Sequence, residues 1–192
     1  MPASIIHIVG PGGAGKSTAG KLLANILCID IIDLDQYFLL KNGSIDKFIE
    51  RAGYIAYARQ NVLNYLELLR TLDQTTVIVL SSGFMVYPLD MDPSYTELRT
   101  QIDKDPLSIL LLPSFDFEEC VRIIVARQLQ RPYLSGNIFA EDERIRIRLP
   151  LFMSLSCERF LSNVSPSQLA NQLAIFVTAN PIFKQNTQKC VQ

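Results

Sequence analysis

With 192 residues, 48% of them hydrophobic and 19% charged, the chain has enough apolar material to bury the core of one domain. Its 18 basic against 19 acidic residues leave a formal net charge of −1, and no block of like charge offers the footprint of a nucleic-acid binder. No apolar run reaches the roughly 18 residues that span a bilayer, and the N-terminus lacks the basic start and long apolar core of a signal peptide, so the expected location is cytoplasmic with no membrane partner.

The first element, Ile5 to Val9, is an apolar run without alternation and reads as a strand buried on both faces. It leads directly into Gly10-Pro11-Gly12-Gly13-Ala14-Gly15-Lys16-Ser17, then Thr18 and a helical pattern over 15–26. This is the phosphate-binding pattern GxxxxGK[ST], set between strand and helix as its mechanism requires. Missing side chains let backbone N–H groups close on phosphate oxygens, and the helix N-terminus adds its partial positive charge. Lys16 is placed to reach the β and γ phosphates of ATP, the Ser17 hydroxyl to ligate Mg²⁺, and Thr18 to lie near the α phosphate.

A second strand, Cys28 to Ile32, delivers Asp33 and Asp35 at its carboxyl end, where an open parallel sheet holds its ligand crevice. One carboxylate can organise Mg²⁺ and its waters while the other accepts the proton of an acceptor hydroxyl; the competing reading makes them caps of a helix beginning near Gln36. A helical pattern over 53–71, strands at Val77–Leu80 and Ile109–Leu112, and a helix over 116–130 follow. The last is capped by Ser114 or Asp116, carries Glu118 and Glu119 at its positive end and has Arg127 in its last turns. Strands alternating with helices predict a parallel sheet covered on both sides. Residues 131–148, RPYLSGNIFAEDERIRIR, mix Pro, Gly and charge and read as a mobile excursion. Ser165-Pro166 opens the final helix, and a polar tail over 181–192 is expected to fray.

Other conspicuous residues have plainer readings. His7, the single histidine, sits mid-strand and reads as core; Arg144 to Arg148 read as a solvated helix face apart from Arg148; Tyr54, Tyr57 and Tyr65 read as packing. Cys28, Cys120, Cys157 and Cys190 form no Cys-x-x-Cys pair, which argues against a zinc site or a disulfide framework.

Taken together, IVGPGGAGKSTAGKLLA, DLDQYF, the spacing Phe48–Gly53–Tyr57, VLSSG at 79–83, RPYL at 131–134 and RLPLF at 148–152 resemble the shikimate kinases over about residues 4–175. The resemblance implies the α/β fold of the nucleoside monophosphate kinases, a five-stranded parallel sheet flanked by helices. It implies one domain over 1–180, with a substrate-binding region at about 34–65 and a lid at about 131–147, working as a monomer. The implied reaction moves the γ-phosphoryl group of ATP, with Mg²⁺, to a hydroxyl of shikimate or a similar small acceptor. By the same resemblance Asp33 helps Ser17 place Mg²⁺, Asp35 binds the acceptor hydroxyls, and Arg131 reaches the phosphates from the lid. Arg148 holds the acceptor carboxylate near Gly83, and Arg127 and Pro166 flank the adenine. Lys16, Asp35 and Arg131 are the implied catalytic set.

The chain departs from the family around the acceptor. A family Phe-Arg pair reads Tyr57-Ala58, a glutamate three residues on is Asn61, and a triple glycine is Gly83-Phe84-Met85. Losing one charge-assisted contact to a carboxylate is worth about 10- to 100-fold in affinity. The expectation is an intact phosphate machine with an altered acceptor pocket, in which Phe84 and Met85 fill positions of the triple glycine and Arg148 is the one family-matched cation left. Arg59 replaces the lost arginine only if the helix is rotated or shifted in register. The competing expectation is a nucleotide-binding protein without shikimate kinase activity, acting on another polyol or serving as a regulatory or interaction module.

Overall fold

A computed structural model of the chain describes residues 4–130 and 138–187. Its strands are β1 (Ile5–Val9), β2 (Asp30–Asp33), β3 (Thr76–Val79), β4 (Ser108–Leu112) and β5 (Glu158–Leu161), all parallel, in the order β2-β3-β1-β4-β5. The helices are α1 (Lys16–Leu27), α2 (Leu34–Asn42), α3 (Ile45–Ala52), α4 (Tyr54–Thr71), α5 (Pro93–Lys104), α6 (Phe117–Leu129), α7 (Ile138–Met153), α8 (Pro166–Ala179) and α9 (Pro181–Thr187).

Successive residues of a strand point to opposite faces, and here both faces are apolar. Ile6, Ile8, Val77, Val79, Ile109 and Leu111 join Leu23 of α1 and Leu169, Leu173 and Val177 of α8 in one cluster. Val9, Ile78, Leu80, Leu110 and Leu112 meet Tyr57 and Tyr65 of α4, Tyr95 of α5, Ile124 of α6 and Phe152 of α7 in the other. The strand order reverses between β1 and β3, which puts the ligand crevice of the sheet at their carboxyl ends. The phosphate-loop sequence leaves β1, the middle strand, at that point.

Several elements differ from expectation. The second strand starts at Asp30 because α1 runs on to Leu27 and is closed by Cys28 in the left-handed region, φ +52°. It is the sheet edge and half-exposed, so its apolar run was not a sign of burial on both faces. Residues 181–187 of the tail fold back as α9, with Phe183 buried against the α1–α8 layer and Asn180 donating to the Pro106 carbonyl at 3.0 Å. Residues 138–147 form the first turns of α7, fastened to α6 by Arg146, which grips both oxygens of Glu118 at 2.7 and 2.8 Å. The rest of the supposed excursion, including Arg131, lies outside the described residues, as does Cys190.

His7 is buried as expected, and its ring is fully engaged: Nε2 meets the Tyr65 hydroxyl at 2.7 Å and Nδ1 the Ser108 hydroxyl at 3.2 Å. Cys28, Cys120 and Cys157 are free thiols.

Candidate functional site

The loop after β1 closes tightly because two of its glycines do what other residues cannot. A Cβ on Gly10 would stand 2.6 Å from the Leu111 carbonyl oxygen, and Gly15 opens α1 at φ +87°, left-handed backbone that L side chains avoid. The Gln128 side chain of α6 packs where Gly12 has none. Within the loop, Ala14 N–H donates to the Pro11 carbonyl at 3.3 Å, and Lys16 Nζ reaches back to the same carbonyl at 3.0 Å. Arg127 ties the loop to the β5–α8 connection, donating to the Gly13 carbonyl at 3.2 Å and to Asn163 Oδ1 at 3.1 Å. Pro166 begins α8 just beyond that connection, after the Ser165 cap.

Asp33 caps α2 with one carboxylate oxygen and keeps the other for Ser17. Oδ1 caps α2 by accepting from the Asp35 N–H at 3.1 Å, and Oδ2 accepts from the Ser17 hydroxyl at 2.6 Å. A pocket of about 130 Å³ lies over the loop, with Gly13, Lys16, Ser17, Thr18 and Asp35 on its walls. Among the described residues no three His, Cys, Asp or Glu side chains come together as a metal cage. The Ser17–Asp33 oxygen pair suits Mg²⁺, which keeps waters and takes phosphate oxygens in preference to an all-protein cage.

A second cavity of about 380 Å³ adjoins the first through Gly12, Asp35 and Ser82. Pro11, Gln36, Tyr57, Glu141, Arg144 and Arg148 are among its lining residues. Arg148 Nη2 donates to the Tyr54 hydroxyl at 3.0 Å, and its guanidinium stands 5.4 Å from the centre of that ring. Arg144, one turn earlier on α7, faces the same cavity and pairs with Glu141 at 2.7 Å. Only Arg148 stood out in the sequence; Arg144 was hidden in a run whose arginines, on a helix, face different ways.

Of the altered positions, Phe84, Met85 and Ala58 do not sit where the sequence suggested. Phe84 and Met85 begin a 3-10 turn, Phe84–Val86, that rotates both into the core, and Tyr95 fixes the turn by donating to the Phe84 carbonyl at 2.5 Å. Neither lines the cavity. Ala58 is fully buried and Arg59 donates to the Met91 carbonyl at 2.9 Å, while Arg51 stacks 5.5 Å from the Phe48 ring; neither arginine stands in for the missing one. Gly83 lies behind the cavity wall, where an added Cβ would come within 2.7 Å of the Tyr54 hydroxyl. Its smallness lets Tyr54 reach Arg148. Tyr57 is on the wall itself, and burial pushes its hydroxyl up to about 12, so it keeps its proton at physiological pH.

A five-stranded parallel sheet, a phosphate loop on its middle strand, and an adjoining cavity with a carboxylate at the shared end define a phosphate-loop nucleotide-binding fold with room for a second small molecule. A family model described as shikimate kinase matches residues 12–178. The shikimate kinase of Coxiella burnetii (strain Dugway 5J108-111) is 27% identical over 174 residues, covering 88% of this chain and 91% of the relative. The gluconokinase of Arabidopsis thaliana is 38% identical over 185 residues, covering 90% and 92%. The chain spans about half the length of other curated shikimate kinases that it matches, from Psychrobacter, Chlorobium and Enterococcus. The solved shikimate kinase from Acinetobacter baumannii in complex with shikimate superposes with a TM-score of 0.70 at 20% identity, covering 94% of this chain and 96% of that one. The chain belongs to the shikimate kinase family.

Proposed function

We propose that the chain transfers the γ-phosphoryl group of ATP to a hydroxyl of shikimate or of a similarly hydroxylated carboxylic acid, as a cytoplasmic monomer without nucleic-acid or membrane partners. The observation that carries this reading is the two-ended cavity. Asp35 stands at the end shared with the phosphate loop, and Arg148 and Arg144 stand on the α7 wall. An acid that pairs its carboxylate with the guanidinium of Arg148 brings its hydroxyls toward Asp35, which accepts the proton of the attacking one. Lys16 and the loop N–H groups stabilise charge on the phosphates during transfer. Ser17, with Asp33 behind it, would hold Mg²⁺, which would supply neutralisation of phosphate charge.

Arg127 and Pro166 border the place for the adenine, and Arg131 is assigned to the phosphates. The region 34–65 supplies Asp35, Gln36 and Tyr57 to the acceptor. Glu141 and Arg144 on the cavity wall support a lid function for 131–147. A second acceptor, gluconate, has support in the 38% identity to the plant gluconokinase; it too is a hydroxylated carboxylate suited to Arg148.

The test is ADP release in a coupled assay with shikimate, gluconate and uncharged polyols, for the unmodified chain and Arg148→Ala. The reading expects turnover of an acid, with its KM raised about 10- to 100-fold by Arg148→Ala. Preference for an uncharged polyol, or ATP binding with no turnover of any of them, overturns it.

A further inference from the structure

One face of α7 forms a wall of the acceptor cavity. Glu141, Arg144, Ile145, Arg148, Leu149 and Phe152 all line it, and their spacing of three and four residues puts them in a single stripe along the helix. Ile145, Leu149 and Phe152 are buried in the core, and Arg146, off this stripe, holds both oxygens of Glu118 on α6 at 2.7 and 2.8 Å. The roll of α7 is fixed by those contacts. Arg144 and Arg148 are therefore delivered to the cavity together, one turn apart, with Cβ atoms about 5–6 Å from each other.

Among the described residues that line the cavity these two are the only cations, against the carboxylates of Asp35, Asp46 and Glu141. Helix α4 brings none, since Ala58 is fully buried and Arg59 turns to the Met91 carbonyl. The positive charge of the cavity is thus gathered on one turn of α7. Arg144 is half-exposed and meets the buried Glu141 through one nitrogen, Nη1 donating to Oε2 at 2.7 Å. A guanidinium carries five N–H donors, so that pairing leaves others for a ligand. We propose that Arg144 is a specificity-determining residue, which joins Arg148 in clasping the carboxylate of the acceptor. Each carboxylate oxygen then meets one guanidinium, and the hydroxyls are turned toward Asp35 at the end shared with the phosphate loop. An uncharged polyol gives the pair nothing to neutralise and is selected against. This rests on the kinase reading above and deepens it.

The test compares kcat/KM for shikimate or gluconate, whichever the unmodified chain phosphorylates, with that for its carboxamide, which keeps every hydroxyl and loses the charge. It is run on Arg144→Gln, Arg148→Gln and the double variant. The glutamine amide at 144 can still donate to Glu141, so the buried carboxylate keeps a partner. The expectation for Arg144→Gln is a preference for acid over carboxamide that falls about 3- to 10-fold, the low end for a charge-assisted contact because the group is half-exposed, with the KM for ATP unmoved. Arg148→Gln keeps part of the preference and the double variant loses it. If Arg144→Gln fails to fold, Arg148→Gln decides alone: a surviving preference for the acid supports the clasp, and its complete loss overturns it. An unchanged preference in Arg144→Gln, or an equal loss for acid and carboxamide, overturns the assignment while leaving the kinase reading standing. A raised KM for ATP with no change toward the acid does the same and gives Arg144 to the phosphates. An unmodified chain that phosphorylates no hydroxylated acid overturns both.

Discussion

The single histidine makes one pH prediction unusually clean, because any histidine linkage in this chain belongs to His7. Its ring is 3% exposed and bonded to Tyr65 and Ser108, and burial lowers its pKa from 6.5 to about 4. Between those values the unfolded chain binds the proton and the folded chain does not, so stability rises with pH across that window. The contribution is fully present above 6.5 and is lost progressively as pH falls toward the folded value. At about 1.36 kcal/mol per pKa unit the whole effect is about 3 kcal/mol, of which about 2 kcal/mol is gone by about pH 5. Asp105, near the same ring, has its pKa raised by burial and so works in the opposite direction, gaining stability as pH falls. The assay is urea unfolding of the unmodified chain and His7→Gln at about pH 7.5 and about pH 5, where the unmodified chain should lose about 2 kcal/mol more than the variant. Equal losses in the two proteins, or an NMR titration of the His7 ring with its midpoint near 6.5, would refute the reasoning.

Three further outcomes follow from the site. Asp35→Asn should lower turnover by about 10²-fold or more while the KM for ATP changes far less; a matching loss of ATP affinity would move Asp35 into the metal shell. Ser17→Ala removes the hydroxyl that Asp33 holds at 2.6 Å, and should raise the Mg²⁺ concentration for half-maximal activity by about tenfold or more, an effect absent if Mg²⁺ is held elsewhere. Ala58→Arg, at a position with no exposure, should destabilise the fold by about 3–5 kcal/mol through an unpaired buried guanidinium. A variant of unchanged melting temperature that binds shikimate 10- to 100-fold tighter would instead restore the idea that position 58 faces the acceptor.

Which features were legible in the sequence depended on how local their causes are. The phosphate loop is contiguous, and its function needs no information beyond ten residues and the elements at either end. Asp33 was legible as a pair of competing roles, and the structure adds what the sequence does not reveal: one oxygen caps α2 while the other meets Ser17. Phe84 and Met85 misled for a rotational reason: a 3-10 turn after β3 sets their direction, and the Tyr95 hydroxyl that fastens it comes from another helix. Arg144 was missed because arginines at 144, 146 and 148 look equivalent in a list. On a helix, Arg144 and Arg148 share one side and Arg146 turns to Glu118. β5 and α9 were passed over because short edge elements carry too few apolar residues to show a period; their places come from pairing with β4 and packing on α8. The fully buried Asn61 of α4 donates to the Ser81 and Tyr87 hydroxyls, each at 2.9 Å, and that network has no signature in one dimension.

In the proposed reaction the loop from Gly10 to Ser17 presents ATP to an acid hydroxyl at Asp35. The most direct measurement is the transfer of labelled γ-phosphate from ATP onto shikimate and onto gluconate, for the unmodified chain and for Lys16→Ala, with unfolding midpoints recorded for both. Label is expected on a hydroxyl of one of the acids, and its loss by more than about 10²-fold in a Lys16→Ala protein that remains folded. Near-normal transfer by folded Lys16→Ala, or no label on either acid from the unmodified chain, would contradict it.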